Sequence, residues 1–202
     1  MSTSPPLRNV TAVLMRPSNG DAWMLEETLG RLAREHTVLA PPSGQNFDAQ
    51  KACTLALVTG PDLVLLIGGE VRVGYSDIAR LLDGYEAGAR VVVGDRGSLA
   101  GRALRPLSGL AFGIWRNDMG TPVRLYDAEA LQEVIAHLPP GSSHPTLLMS
   151  MVEHRLRFSV KEIRLRNAAE TPRQEDPVNA LADMLGGLTE LLSFRTTARA
   201  IR

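Results

Sequence analysis

The stretch from Asp62 to Arg96 constrains the fold more than any other part of the sequence. An apolar run, Leu63 to Ile67, ends in Gly-Gly-Glu. An amphipathic pattern then covers Ser76 to Glu86, and a second apolar run, Ala89 to Val93, ends in Gly-Asp-Arg. Strand, turn, helix and strand in this order predict a parallel crossover unit. Ligands of open α/β sheets bind at the carboxyl ends of the strands, so we expect both polar turns to lie on one functional edge.

The preceding residues extend the same alternation of strands and helices. Strands are predicted at Val10–Met15 and His36–Leu39, a helix at Ala22–Glu35, and a second helix, capped by Asp48, that runs to about Val58. In the Ala22–Glu35 helix, Trp23 and Met24 are expected in the core. The resulting order β-α-β-α-β-α-β predicts an α/β fold, with a mostly parallel, Rossmann-like sheet covered by helices on both faces.

The rest of the chain is less regular. Residues 97–113 are rich in Gly and Arg and predict a loop leading into a short helix. Beyond it we expect two strands and two helices, in chain order Val123–Tyr126, Ala128–His137, Thr146–Arg155 and Phe158–Leu165. The domain is therefore expected to span residues 9–166, after a disordered lead-in at 1–8 and before a polar linker at 167–177.

Residues 178–202 are predicted to contain a C-terminal amphipathic helix, Val178–Arg195, that ends in arginines. One alternative is that this helix lies on an anionic membrane surface, which would make the protein peripheral to the inner face of a membrane. The other is that it packs on the domain or on a second copy in a homodimer. We favour packing because Asp183 and Glu190 dilute the positive charge and Gly186-Gly187 weakens the helix.

Composition excludes several classes of protein. The chain carries 22 basic and 22 acidic side chains, so a sequence-independent nucleic-acid binder is not expected. The single cysteine, Cys53, excludes an internal disulfide and a cysteine-based zinc site, and it is expected in the core. The four histidines have no metal-site spacing. The N-terminus lacks a secretory pattern and no apolar run approaches the roughly 20 residues of a membrane span, which predicts a cytoplasmic protein.

Four motifs occur in a recognisable order. Residues 68–78 read GGEVRVGYSDI, residues 88–96 read GARVVVGDR, Asp118 precedes VRLY at 123–126, and residues 162–165 read EIRL. In this order and spacing the chain resembles family 2 glycosyltransferases of the GT-A fold, particularly the group that includes dolichyl-phosphate mannose synthases. The resemblance covers about residues 62 to 166, with weaker continuity back to Val10.

The resemblance implies a nucleotide-sugar donor and a divalent cation, Mg²⁺ or Mn²⁺, bridging its diphosphate. Glu70 stands at the position of the metal-binding carboxylate. Arg96 is implied to contact phosphate, with Arg102 or Arg105 as further cations. Asp118 is implied to act at the acceptor, with a helix or loop cap as the alternative. The remaining implied ligand contacts are Asn19, Asp21, Ser43, Gly69 and Arg124.

For two of these residues, a structural role is the alternative to ligand binding. Arg124 would bind an acceptor phosphate, for example that of a polyprenyl phosphate, or pair with a neighbouring acid. Glu70 would bind the cation or be a solvated turn residue. Glu162 is expected to anchor a loop or a basic side chain.

The sequence also departs from the family. Gly20 replaces the Glu of the opening loop, which makes Asp21 the nearest carboxylate. Ala40-Pro41-Pro42-Ser43 keeps only the serine of an acidic turn. Gly68 replaces the first Asp of Asp-x-Asp. These losses leave a degenerate motif and a second hypothesis, a catalytically silent, glycosyltransferase-like binding or regulatory subunit. A nucleotidyltransferase is a third hypothesis, although the Gly-rich basic first loop of that class is absent.

Overall fold

A computed structural model describes residues 8–15, 21–41, 48–68, 71–97, 99–166 and 185–194, with only the backbone at 99–101, 103 and 104. The strands are β1 (Asn9–Leu14), β2 (Glu35–Leu39), β3 (Leu63–Ile67), β4 (Val91–Asp95), β5 (Val123–Asp127) and β6 (Val160–Arg164). The helices are α1 (Asp21–Leu32), α2 (Ala49–Val58), α3 (Tyr75–Glu86), α4 (Leu99–Phe112), α5 (Ala128–Ala136), α6 (Pro145–Arg155) and α7 (residues 185–194).

The six strands form one mostly parallel sheet in the order β2-β1-β3-β5-β4-β6. The predicted α/β class is therefore confirmed. The expected crossover between β3 and β4 differs in one respect, because β5 lies between them and runs antiparallel to both. Leu125 of β5 is paired with Leu65 on one side and with Val92 on the other, which completes the buried centre of the sheet.

Side chains alternate between two cores, one on each face of the sheet. Along β3, Val64 and Leu66 join a cluster with residues of α2, α5 and α6, whereas Leu63, Leu65 and Ile67 join a cluster with residues of α1 and α3. All five β3 residues are buried. Since full burial of such a side chain stabilises the folded state by about 1.5–3 kcal/mol, β3 is a main anchor of the fold.

Most predicted elements occur where expected. Asp48 caps α2 as predicted, accepting from the Lys51 N–H at 3.0 Å. The prediction of a loop and a short helix for residues 97–113 was wrong about the length of the helix. Helix α4 has 14 residues and contains Pro106. The expectation that Trp23 and Met24 lie in the core was also wrong. Helix α1 buries Leu25 and Leu29, which leaves Trp23 68% and Met24 41% exposed.

The described part of the C-terminal region packs on the domain. Leu191 of α7 is buried, and Leu188 and Phe194 contact the cluster that includes α6. The Glu190 carboxylate accepts from the Ser142 hydroxyl and from the His144 backbone N–H. Of the two alternatives for this helix, residues 185–194 show packing on the domain. The lead-in, the linker and the remainder of 178–202 lie outside the described residues. Across the described residues, no helix has both the length and the apolar character that crossing a bilayer requires.

Candidate functional site at the carboxyl edge of the sheet

The carboxyl ends of the parallel strands meet at one edge, together with the start of β5. Three backbone hydrogen bonds of 2.9 Å tie this edge together, from Met15 to Ile67, from Gly68 to Pro122 and from Leu165 to Asp95. Helices α1, α3 and α4 also begin here, because each follows a strand that ends at this edge. The β4 turn and Gly68 of the β3 turn thus share one edge, as the sequence predicts.

An ion pair follows the end of β4. The Arg96 Nε donates to Asp118 Oδ2 at 2.8 Å, and its Nη2 lies 3.4 Å from Oδ1. The Asp118 side chain is only 3% exposed and that of Arg96 is 20% exposed. Two residues that were predicted separately, one for phosphate and one for catalysis, are therefore bonded to each other. The carboxylate orients the guanidinium at this edge.

A second ion pair, which the sequence reasoning did not identify, lies beside the first. Asp95 accepts from the Gly97 N–H at 2.6 Å and lies 3.4 Å from Arg164 Nη1. Gly97 has a φ of +71°, and a Cβ there would lie within 2.1–2.3 Å of the Arg164 guanidinium. The positive φ favours glycine here, and a larger residue would also displace the Arg164 guanidinium. In the sequence, the only indication of this ion pair is an arginine, Arg164, at the end of a predicted strand.

The loop before Asp118 is anchored by Glu162. Its carboxylate accepts from the Asn117 backbone N–H at 2.9 Å and from Asn117 Nδ2 at 3.1 Å. Arg105 of α4 donates to the Asn117 amide oxygen at 2.9 Å. Burial raises the pKa of Glu162 above its ordinary value. Glu162 therefore acts as a loop anchor, as expected, and it holds Asp118 indirectly.

Arg124 lies in the interior and not on this edge. Its side chain is 1% exposed, and its Nη1 donates to Glu153 Oε1 at 2.7 Å. The other donors bond the carbonyls of Thr121, Met119 and Thr146 and the Ser150 hydroxyl. Arg124 was predicted either to bind an acceptor phosphate or to pair with an acid, and the structure shows the pairing.

The Glu153 carboxylate also accepts from Tyr126 and Arg116. Burial alone would raise the pKa of Glu153, but the charges of Arg124 and Arg116 outweigh it and hold that pKa below its ordinary value.

A shallow pocket, open to solvent, lies at the ends of β1 and β3. Its lining is mainly apolar, with one acid and one base, and consists of Leu14, Asp21, Met24, Leu25, Ile67, Val71, Arg72 and Val73. Asp21 Oδ1 lies 3.8 Å from Arg72 Nε. Among the predicted contacts, Asp21 is therefore placed at this pocket. Asn19, Ser43, Gly69 and Glu70 lie outside the described residues.

The described residues contain no group of three or more His, Cys, Asp or Glu side chains that could hold a metal ion. A side chain at the position of the family's first Asp would crowd its neighbours. A Cβ on Gly68 would lie 2.5 Å from Met15 Cε and 3.0 Å from Pro122 Cβ. A cation ligand set is thus not provided by the described part of the chain, and Glu70 is the one implied ligand outside it.

No protein-family model matches this chain, and no curated protein matches it. Solved structures do. Glucosyl-3-phosphoglycerate synthase from Mycobacterium tuberculosis, solved with Mn²⁺, UDP and phosphoglyceric acid, is 16% identical, with a TM-score of 0.65 over 94% of this chain and 78% of that one. Another mycobacterial protein is 14% identical, with a TM-score of 0.64 over 94% and 75%.

A CMP:2-keto-3-deoxy-manno-octonic acid synthetase solved with CTP is 14% identical, with a TM-score of 0.50 over 91% of this chain and 99% of that one. At these identities the comparisons establish the fold. The chain has a GT-A-like α/β fold, shared with nucleotide-sugar glycosyltransferases and related nucleotidyltransferases.

Proposed function

We propose that this chain transfers a sugar from a nucleotide-sugar donor to an acceptor. The observation that carries the proposal is the Arg96–Asp118 ion pair, which follows β4 on the same edge as the pocket between β1 and β3. The mycobacterial synthase of the same fold has been solved with UDP-glucose. The nucleoside would occupy the pocket beside Asp21, and the diphosphate would extend toward Arg96. Asn19, Ser43 and Gly69 are the other proposed donor contacts.

The chemistry moves negative charge onto the leaving nucleoside diphosphate. The bond between the anomeric carbon and the diphosphate oxygen breaks and its electron pair stays on that oxygen. A lone pair on an acceptor phosphate oxygen forms the new bond to the anomeric carbon, so no proton has to be removed from the acceptor. Arg96 stabilises the developing charge through charge-assisted hydrogen bonds. Asp118 holds the guanidinium in place and is a positioning residue in this scheme. Its predicted action at the acceptor stays a proposal.

A divalent cation, Mg²⁺ or Mn²⁺, would neutralise part of the diphosphate charge when bound. We propose Glu70 as its protein ligand, since a single carboxylate can hold Mg²⁺ when phosphates supply further ligands. Mn²⁺ is present in the mycobacterial synthase structure. The Glu70→Ala variant should lose the cation-dependent part of nucleotide binding and keep the rest.

The acceptor is proposed to be anionic. The sequence resemblance implies a polyprenyl phosphate, and the mycobacterial synthase structure contains phosphoglyceric acid. Both carry a phosphate. Buried Arg124 is not placed to meet such a group, whereas Arg164 is 53% exposed beside Asp95. We therefore propose Arg164 as the acceptor-side cation.

Nucleotide binding tests the proposal. UDP, GDP, ADP and CDP are titrated with and without Mn²⁺ while the melting temperature is measured. A ligand at 100 times its Kd should stabilise the protein by about 2.7 kcal/mol, that is, by several degrees in a domain of this size. The Arg96→Gln variant should weaken binding of the diphosphate but not of the free nucleoside, whereas Arg34→Gln should change neither. No shift with any nucleotide would refute the proposal.

A catalytically silent binding subunit is the second candidate. It is favoured by the loss of the family's carboxylate at Gly68, where a side chain would crowd Met15 and Pro122. Such a protein would bind a nucleoside diphosphate without hydrolysing or transferring from any nucleotide sugar. A nucleotidyltransferase would instead release pyrophosphate from a nucleoside triphosphate, which a coupled phosphate assay detects.

A further inference from the structure

Helix α3 holds the end of strand β6, which is the last strand in the order of the sheet and pairs with β4. The Arg80 guanidinium of α3 donates to the Arg164 carbonyl. One turn earlier on α3, the Asp77 Oδ1 accepts from the Arg166 backbone N–H at 2.8 Å. An edge strand has backbone groups without a partner strand on its outer side, and α3 supplies the partners here.

The residue between these two contacts pairs with β4. The Leu165 N–H donates to the Asp95 carbonyl at 2.9 Å. Residues 164, 165 and 166 therefore each have a backbone group bound, alternately by α3 and by β4. The strand end is fixed from both sides.

The Arg164 side chain is held as well as its backbone. Its Nη1 lies 3.4 Å from Asp95 Oδ2, and its guanidinium lies so close to Gly97 that a Cβ there would come within 2.1–2.3 Å of it. The side chain is nevertheless 53% exposed. A guanidinium that is held in place and still open to solvent is preorganised to bind an anion.

The charges at this end of β4 and β6 are arranged with the acids inside. Asp77 and Asp95 are buried, whereas Arg164 and Arg166 are exposed. An anion that approaches the edge therefore meets guanidinium groups first, and the carboxylates lie behind them. This arrangement suits a phosphate.

We propose that Asp77 and Arg80 are positioning residues of the acceptor site, which hold Arg164 in place for the phosphate of an anionic acceptor. The inference rests on the proposed function, in which Arg164 is the acceptor-side cation. Asp77 is the acid of the motif at residues 68–78, and it acts here on a residue 89 positions further along the chain. Without these contacts, Arg164 has to be ordered when the acceptor binds, which weakens binding.

Inorganic phosphate is the probe for the acceptor group. The full chain is first saturated with Mg²⁺ and the nucleoside diphosphate that stabilises it most, so that the donor site is occupied. Phosphate is then titrated by isothermal titration calorimetry at constant ionic strength. We expect Arg164→Gln to raise the Kd of phosphate about tenfold, through the loss of a charge-assisted hydrogen bond, and to leave the Kd of the nucleotide unchanged.

Substitutions of Arg80 test the positioning. Arg80→Gln should raise the Kd of phosphate about threefold, the effect expected when one long side chain must be ordered on binding. Arg80→Lys keeps a donor for the Arg164 carbonyl and should restore most of the affinity. Arg31→Gln on α1 is the matched control, because Arg31 is a helix arginine that bonds Glu27 of its own helix. The control should leave the Kd of phosphate unchanged.

Substitutions of Asp77 test the second contact. Asp77→Ala removes the acceptor of the Arg166 N–H and should weaken phosphate binding about as much as Arg80→Gln. Asp77→Asn keeps an oxygen acceptor and should weaken it less. Since Asp77 is fully buried, Asp77→Ala is used only where thermal unfolding shows a folded protein, and the two Arg80 variants otherwise decide the result.

The double variant Arg80→Gln/Arg164→Gln separates positioning from direct contact. If Arg80 acts through Arg164, the double variant should bind phosphate no more weakly than Arg164→Gln alone. A further threefold loss would show that Arg80 meets the phosphate itself and would overturn the proposal. An unchanged Kd of phosphate in Arg80→Gln, with a lowered melting temperature, would reduce the contact to a purely structural role.

Failure of this inference is distinguishable from failure of the proposed function. If the nucleotide binds and Arg164→Gln leaves the Kd of phosphate unchanged, the acceptor site is not at Arg164 and the inference is refuted, while the donor site stands. If no nucleotide binds, the proposed function is refuted and the inference with it.

Discussion

Arg124 and Glu153 form a fully buried ion pair that links the centre of β5 to α6. Removing Arg124 leaves the buried Glu153 with Arg116 as its counter-charge, and takes hydrogen-bond donors away from the Met119, Thr121 and Thr146 carbonyls. We predict that Arg124→Met lowers the free energy of unfolding by about 3–5 kcal/mol, measured by urea denaturation. Arg124→Met combined with Glu153→Leu should recover part of the loss. If the double variant is less stable than the single one, the pair is not the cause.

The Glu153 carboxylate also makes stability depend on pH. Its pKa in the folded state lies below the ordinary value of 4.5. A depressed carboxyl pKa stabilises the fold above the unfolded-state value, and this contribution is lost as pH falls through the folded-state value. We therefore predict a free energy of unfolding that decreases below about pH 4.5. Glu153→Gln should flatten that decrease, and an unchanged slope would contradict the assignment.

Two glycines offer a matched test of packing. A Cβ on Gly68 would crowd Pro122, whereas the nearest atom to a Cβ on Gly30 of α1 is His36 Cε1 at an ordinary 3.5 Å. We predict that Gly68→Ala destabilises the protein by about 1–3 kcal/mol through overpacking. Gly30→Ala should stabilise it by about 0.5–1 kcal/mol, because alanine favours a helix interior. Thermal unfolding of both variants measures whether the first is less stable and the second more stable than the unsubstituted chain.

At the scale of elements, one carboxylate adds hydrogen bonds to the apolar packing of α7 on the domain. Burial of Glu190 alone would raise its pKa, but hydrogen bonds from Ser142 and His144 outweigh it and lower that pKa. The contribution of these bonds is present above the ordinary carboxyl pKa and lost as pH falls through the folded-state value. We predict lower protection factors against hydrogen exchange in residues 185–194 for Glu190→Ala, and for the unsubstituted chain in acid once the intrinsic exchange rate at that pH is taken into account. Exposed Leu192→Ala should leave exchange unchanged.

Helix α4 shows where element prediction failed. Gly, Pro106 and several arginines predicted a loop, since proline removes one helical hydrogen bond and glycine lowers helix propensity. The helix forms because tertiary contacts compensate. Ser108 is buried, and Phe112 packs against the core cluster that includes Leu148 and Met149. Contacts of this kind are invisible to a local sequence pattern.

At the scale of the whole molecule, Cys53 reports global unfolding. It is fully buried, and burial together with the Asp48 charge raises the pKa of its thiol to about 12. A thiolate is the reactive form, so the native thiol should be inert. We predict that labelling by a thiol reagent proceeds at the global unfolding rate and slows when a ligand stabilises the fold. Rapid labelling of the native protein would show local opening of α2.

The sequence by itself determined the strands of the core, the cap of α2 and the edge at which polar turns collect. These features follow from local periodicity and turn chemistry. Only the tertiary structure decided that β5 lies antiparallel between β3 and β4, that Arg96 bonds a carboxylate 22 positions away, and that Arg124 is buried while Trp23 is exposed. The physical reason is distance along the chain. Long-range packing selects which helix face is covered and which charge meets which, and no local pattern encodes that choice.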